Sequence, residues 1–305
     1  MNVDVVCTGP VFLDLTFEGL EELPAPGRER FARELHETPG GAGIMAVGLA
    51  RLGLRTAVAS SSLGRDVAGR TLRRLLEVEG IVCAGLEAER TPVTVVVPFG
   101  GERAFITYEP PQTVDGEAVE RLRPRAVVVG LDQLQLAPAG AAAYVVVADR
   151  EAEGHAGALP ELAGARALLA NRAEAERLTG KPDPETAALS LAERVATAVV
   201  TCGEDGAIAA ADGELVEASA PRVEVRDTTG AGDLLVAAYV WGDLGGLPLE
   251  ERLRRAVVYA ALSVRTATGA GSAATIDELE RTLAELGPAI VQTASAHTTS
   301  AKEHA

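Results

Sequence analysis

DTTGAGDLLVAAYV, residues 227–240, brackets three small residues with two acids at the mouth of an almost wholly apolar segment. Asp227 and Asp233 flank Gly230, Ala231 and Gly232, and from Leu234 to Trp241 only Tyr239 is polar. Gly230 and Gly232 carry no Cβ, so the backbone can turn sharply there. A helix starting at such a turn leaves amide N–H groups without an intrahelical acceptor, and these form a positive concavity able to hold an anion. The plain structural reading of Asp233 is a helix-start carboxylate, which that end of the helix stabilises. The chemical reading is stronger for the constellation as a whole. With phosphate oxygens in the concavity, Asp233 would stand beside the transferring group and could take a proton from an attacking hydroxyl.

Composition limits what surrounds this stretch. The chain has 305 residues, 47% hydrophobic but only 3% aromatic, so its core must be built from Val, Leu, Ala and Ile. Such a core suits buried parallel strands under helices. No run reaches the roughly 18 apolar residues of a membrane span, and no basic-then-apolar leader opens the chain. Cys7, Cys83 and Cys202 are far apart and odd in number, and read as reduced thiols of a cytoplasmic protein. The net charge is −16, with Lys181 and Lys302 the only lysines. That balance argues against a nucleic-acid partner, which needs a basic footprint. Phosphates would have to be held by backbone amides, helix ends, a few arginines and metal ions.

Outward from residue 227 the chain alternates strand and helix. Val3 to Cys7 reads as a strand running into the turn Thr8-Gly9-Pro10; GGAGIMAVGLARLG from Gly40 reads as a glycine-led helix. AVVVG, AYVVVAD, ARALLAN and TAVVTCG repeat the pattern, which predicts an α/β fold with a doubly wound, mostly parallel sheet. Ligands bind such sheets beyond the carboxyl ends of the strands, where Asp132, Asp149, Asn171 and Gly203 fall. TPVTVVVPFGGERAFITYEPP differs: two apolar runs flank Gly100-Gly101, a hairpin signal, and Pro98 predicts an edge or a flap. A single domain is expected over 1–290, with 291–305 a small, polar, mobile tail.

With these residues in place, DTTGAGD resembles the signature of the PfkB carbohydrate kinases, the ribokinase-like superfamily. GPVFLDL, PGGAGIMAVGLARLG, GRDVAG, NRAE and TCGEDG resemble that family's further motifs in order and spacing, over roughly residues 3 to 275. The resemblance implies a ribokinase-like α/β domain with a small β lid from about 10–38 and 91–112. It implies ATP- and Mg²⁺-dependent phosphorylation of a hydroxymethyl group on a small, unphosphorylated sugar. Asp233 would be the base, and Gly230, Ala231 and Gly232 the anion hole. Asp14, Gly40, Gly41 and Asp132 would contact the sugar. Thr201, Gly203 and Gly206 would line the nucleotide site. Asn171 and Glu174 would organise Mg²⁺ through its waters, although Glu174 taken alone reads as part of a solvated helix face. Asp227 and Thr229 would belong to a monovalent-cation loop, giving a K⁺ requirement. The lid would pair two subunits into a homodimer.

The glycine-pair segment departs from the family's pattern. An Asn that usually contacts the sugar is missing, with Ile44 and Met45 in its neighbourhood, and Ala42 stands where members that bind phosphosugars carry Lys. Apolar Ile44 and Met45 would face a base or a deoxy position, so a nucleoside kinase of the same superfamily is the alternative. A catalytically silent sugar or nucleotide sensor is a further one, against which the intact Asp233, Asn171 and Glu174 argue. No Gly-x-x-x-x-Gly-Lys-[Ser/Thr] loop and no Gly-x-Ser-x-Gly elbow is present, and the four histidines lack metal-ligand spacing.

Overall fold

Four consecutive buried residues, Val5–Thr8, form the first strand, β1, in a computed structural model that describes residues 2–20, 22–60, 62–99, 102–266, 269–287 and 291–295. Successive β1 side chains enter opposite cores: Val5 and Cys7 pack on one face of the sheet, Val6 on the other. The chain then leaves the main sheet for β2 (Val11–Glu18) and β3 (Glu34–Gly41), which pair antiparallel. Helix α1 (Ala42–Arg51) returns it to β4 (Thr56–Ala59), and α2 (Val67–Val78) leads to β5 (Val82–Ala84). A second excursion makes β6 (Val93–Phe99) and β7 (Glu102–Tyr108). Regular winding follows through α3 (Gly116–Leu122), β8 (Ala126–Gly130), β9 (Ala142–Val146), α4 (Asp149–Gly154), β10 (Ala165–Asn171), α5 (Arg172–Thr179), α6 (Pro184–Ala192) and β11 (Ala198–Thr201). Antiparallel strands β12 (Ala207–Ala211) and β13 (Glu214–Ala218) precede α7 (Ala231–Leu244), α8 (Leu249–Ser263), α9 (Ile276–Leu286) and β14 (Val291–Ser295).

The main sheet has ten strands in the order β14-β13-β12-β11-β10-β9-β8-β1-β4-β5. From β5 to β11 all neighbours are parallel; β12 to β14 continue antiparallel. Helices α1, α2, α7, α8 and α9 cover one face, and α3 to α6 the other, so the sheet is doubly wound. Helices α1 and α7 meet closely at Gly48, where an added Cβ would stand 2.7 Å from Leu234 Cδ2. Among the described residues no helix is long and apolar enough to cross a membrane.

The second sheet holds four strands in the order β3-β2-β6-β7. Strand β6 is interior there, not the edge that Pro98 predicts. Its pairing with β2 ends at Val96, so the amide hydrogen that Pro98 lacks is not missed by that neighbour. The hairpin glycines Gly100 and Gly101 lie outside the described residues. Val291–Ser295, expected as part of a tail, instead pairs with β13 and satisfies its outer backbone groups; residues 296–305 lie outside the described residues.

Candidate active site

The N-terminus of α7 opens beside the carboxyl ends of the parallel strands. Gly230 caps it in the left-handed region (φ 77°), which a side chain would strain. An added Cβ on Gly230 would also stand 2.9 Å from Ile44 Cδ1. The Asp227 carboxylate accepts from Thr229 N–H (2.8 Å), and Ala231 N–H donates to Thr228 O (3.2 Å), so the loop is fixed before the helix begins. Over Gly232 there is open space: a Cβ there would meet nothing within 4 Å. A helix end presenting amides to open space is an anion cradle.

Asp233 follows in the first turn, half-buried. Burial, then the charges of Asp14 and Glu174, push its pKa up to about 7. The helix end alone would lower it, so the desolvated, like-charged surroundings win. Asp14 lies on β2 and is buried; burial raises its carboxyl to about 7, opposed by a hydrogen bond from the Thr94 hydroxyl. Register explains how these groups assemble. Thr38 on β3, Asp14 on β2, Thr94 on β6 and Thr107 on β7 are successive cross-strand partners, hence one row on one face. Thr94 and Thr107 hydroxyls are 3.3 Å apart. Gly40 serves this row directly, because a Cβ there would collide with the Asp14 carboxylate. Gly41 (φ 57°) turns β3 into α1.

The base of this sheet is tied to the main domain. Asp66 caps α2 through Gly69 N–H (2.9 Å) and accepts from Thr91 N–H (3.1 Å) and Thr91 Oγ1 (2.7 Å), just before β6. Val11 N–H donates to Ser62 Oγ (2.9 Å), whose hydroxyl donates to Gln112 Oε1 (2.7 Å). Asp66 of GRDVAG therefore ties the start of β6 to α2.

Asn171 and Glu174 form a reciprocal cap at the start of α5: Glu174 N–H donates to Asn171 Oδ1 (2.9 Å), and Asn171 N–H to Glu174 Oε2 (2.7 Å). Glu174 is 8% exposed, so the solvated-face reading does not hold. Burial raises its pKa, the Asn171 amide works against that, and Asp149 raises it further. Asn171 pairs in register with Thr201 on β11. Beyond Thr201 the chain turns through Gly203 (φ 62°) and Gly206 (φ 104°), where Cys202 N–H donates to Gly206 O (2.8 Å).

Some expected placements differ. Asp132 points away from the row: its side chain is 58% exposed and engages His155 Nε2 at 2.7 Å. Its neighbour Gln133 turns inward instead, accepting from Thr8 Oγ1 (3.0 Å). Ile44 and Met45, read as apolar pocket surface, are 3% and 7% exposed and belong to the core under the anion loop. The position is buried because α1 packs on α7, which a linear reading of the glycine-pair motif does not reveal. Thr38, Thr94, Thr107, Gln133 and Arg103 were missed. Arg103 on β7 forms an ion pair with the buried Asp227 and donates from Nη1 to Thr229 Oγ1 (3.3 Å).

The family model described as pfkB family carbohydrate kinase matches residues 4–276. The chain belongs to the PfkB carbohydrate kinase family. Curated relatives include the bifunctional protein HldE of Trichlorobacter lovleyi, 30% identical over 74% of this chain and 51% of that protein. HldE of Alkalilimnicola ehrlichii is 28% identical over 92% of this chain and 63% of that protein. The chain thus spans between half and two thirds of the length of these relatives. Among solved structures, a putative ribokinase from Agrobacterium tumefaciens superposes with TM-score 0.78 at 23% identity, covering 94% of this chain and 99% of that one. Arabidopsis thaliana ribokinase complexed with ribose and ATP gives TM-score 0.74 at 24% identity, covering 92% and 98%. These likenesses show a ribokinase-like fold.

Proposed function

We propose that this PfkB-family protein transfers the γ-phosphoryl group of ATP to a hydroxymethyl group of a small, unphosphorylated sugar. The observation that carries this reading is Asp233: a carboxylate held near neutrality beside an open helix N-terminus, within electrostatic reach of Asp14. Asp233 takes the hydroxyl proton as the sugar oxygen bonds to the γ-phosphorus; the bond from that phosphorus to the β–γ bridging oxygen breaks and ADP leaves. The amides at Gly230 and Gly232 receive the phosphoryl charge, while Ala231 N–H donates to Thr228 O and shapes the turn. The Thr38–Asp14–Thr94–Thr107 row holds sugar hydroxyls, with the four-stranded sheet closing over them as a lid.

Asn171 and Glu174 would hold Mg²⁺ through its waters, with Thr201, Gly203 and Gly206 beside the nucleotide. The donor chemistry suits a hydrated ion: the charges of Asp14 and Glu174 both act on Asp233, and a divalent cation held through its waters would relieve that repulsion. When bound, Mg²⁺ neutralises charge on the ATP phosphates. Ala42, where an ammonium would anchor a second phosphate, supports a free sugar over a sugar phosphate. Ile44 packs against Gly230 and supports the anion loop, which favours a sugar over a nucleoside. Two copies would pair through the outer face of the lid, which carries Leu35, Ile106 and Tyr108 exposed by 52%, 67% and 54%. The three free thiols suit a reducing, cytoplasmic setting.

The test is ADP release over a panel of free sugars, nucleosides and sugar phosphates. A free sugar should give the highest kcat/KM. A preference for a fructose phosphate, or for a nucleoside, would contradict the substrate assignment; no turnover with any acceptor would contradict the kinase.

A further inference from the structure

The family resemblance makes Asp227 and Thr229 cation ligands, but these two side chains do not fit that task here. One atom, Arg103 Nη1, bridges both: it pairs with Asp227 Oδ1 and donates to Thr229 Oγ1. The guanidinium therefore occupies the side of Asp227 and Thr229 that a shared cation would need. Asp227 Oδ1 also accepts from its own loop at Thr229 N–H. A K⁺ ion requires oxygen donors around it, whereas a guanidinium offers only N–H groups. The Asp227 side chain is 2% exposed, so it needs a counter-charge, and Arg103 supplies one.

We propose that Arg103 stands in for the monovalent cation at Asp227 and makes formation of the anion loop depend on lid closure. The inference rests on the kinase reading and assigns Arg103 as a positioning residue. Three placements carry it. Arg103 is the second residue of β7, paired with Pro98 at the turn end of the lid hairpin and far along β6 from the tie at Asp66 and Thr91. Asp227 is held on its backbone side by N–H donation to Val264 O (3.1 Å), so the loop cannot follow a retreating lid. Only Thr228 and Thr229 separate Asp227 from the Gly230 cap, and the Asp227–Thr229 turn spans most of that distance. When the lid lifts, the guanidinium leaves, Asp227 is buried with only the Thr229 N–H bond and no counter-charge, and the turn that sets the anion hole loses its fixing charge. When the lid closes over a sugar, the charge returns. Substrate binding thus completes the phosphate cradle, and ATP hydrolysis without acceptor is suppressed.

The test compares wild type, Arg103→Gln and Arg103→Lys in KCl and in tetramethylammonium chloride of equal ionic strength. Sugar phosphorylation by the wild type should not change between the salts. Arg103→Gln should lose roughly tenfold or more in kcat/KM without K⁺, as expected for a displaced positioning group, and K⁺ should restore part of the loss. Arg103→Lys should keep the wild-type indifference to K⁺. A wild type activated by K⁺ as strongly as the Gln variant overturns the proposal, as does an Arg103→Gln enzyme equal to wild type in both salts. Thermal unfolding reads the same site without turnover: K⁺ should raise the Tm of Arg103→Gln and leave that of the wild type unchanged, while equal shifts overturn the proposal. Absence of turnover in the wild type with every acceptor would refute the kinase reading, and the thermal comparison would then still decide the role of Arg103.

Discussion

Helix α7 carries an aspartate at each end, and the two live in opposite surroundings. Asp233 sits in the first turn, and the charges that act on it are the like charges of Asp14 and Glu174. Asp243 sits in the last turn, where the helix dipole disfavours an anion, yet its pKa is lowered. Burial alone would raise it; Arg166 (2.7 and 2.8 Å), the Tyr144 hydroxyl (2.5 Å) and Arg252 overcome that. A buried carboxylate surrounded by donors is a structural tie. A carboxylate left without a cation in an acidic cleft is disfavoured by folding and available for proton transfer.

Neutralising each acid in turn should separate the roles most sharply. Asp233→Asn should lower kcat by at least about two orders of magnitude, the low end for a positioned general base. Its Tm at pH 8 should be equal to or above that of the wild type, because a repelled charge is gone. Steady-state kinetics and thermal unfolding on one preparation check both halves. Asp243→Asn should do the reverse. Breaking the buried cluster leaves Arg252 uncompensated and should destabilise the fold by roughly 3 kcal/mol. Per folded molecule, kcat should stay near wild type, as urea unfolding with active-site-normalised rates would reveal.

The same contrast predicts opposite pH responses of stability. Asp233 has a folded pKa of about 7 against an ordinary 3.8, so the folded state holds its proton more tightly. Its stabilising contribution is complete below about pH 4 and disappears as the pH rises through about 7. Asp243, lowered, contributes stability above 3.8 that is lost as the pH falls through its folded pKa. Urea midpoints across pH 5 to 8 should therefore decline more steeply for wild type than for Asp233→Asn, and Asp243→Asn should leave that slope unchanged. Parallel slopes for wild type and Asp233→Asn would break the comparison.

Gly40→Ala should have a smaller effect, pushing the Asp14 carboxylate out of its row. KM for the sugar should rise more than kcat falls, since the base and the cradle are untouched. The smallest effect is expected at Glu174→Gln. The amide can keep accepting from Asn171 N–H, so the cap survives, while the Mg²⁺ concentration for half-maximal rate rises. A Mg²⁺ titration superimposable on wild type would leave Glu174 a cap alone.

What the sequence could reveal follows chain locality. The α7 start, the Asn171–Glu174 cap and the alternating strands are written within a few residues of one another, where turn and capping chemistry is local. The site's other half is built by register. Thr38, Asp14, Thr94 and Thr107 come from four strands, and no local pattern shows that three Thr residues share one row with one Asp. Arg103 and Thr229 are 126 residues apart, so their contact has no local signature. Ile44 carried the same apolar letter whether it lined a pocket or supported a loop; only the α1–α7 packing decides. Asp132, at a strand end like the others, was drawn outward by His155, a partner 23 residues along the chain.

The most direct test of Asp233 as the base is the pH dependence of kcat/KM with the preferred sugar, measured on wild type and Asp243→Asn. Both should rise tenfold per pH unit on the acid side and level off above about pH 7, where Asp233 loses its proton. A rate flat from pH 5 to 9, or an acid limb that moves when Asp243 is changed, would contradict it.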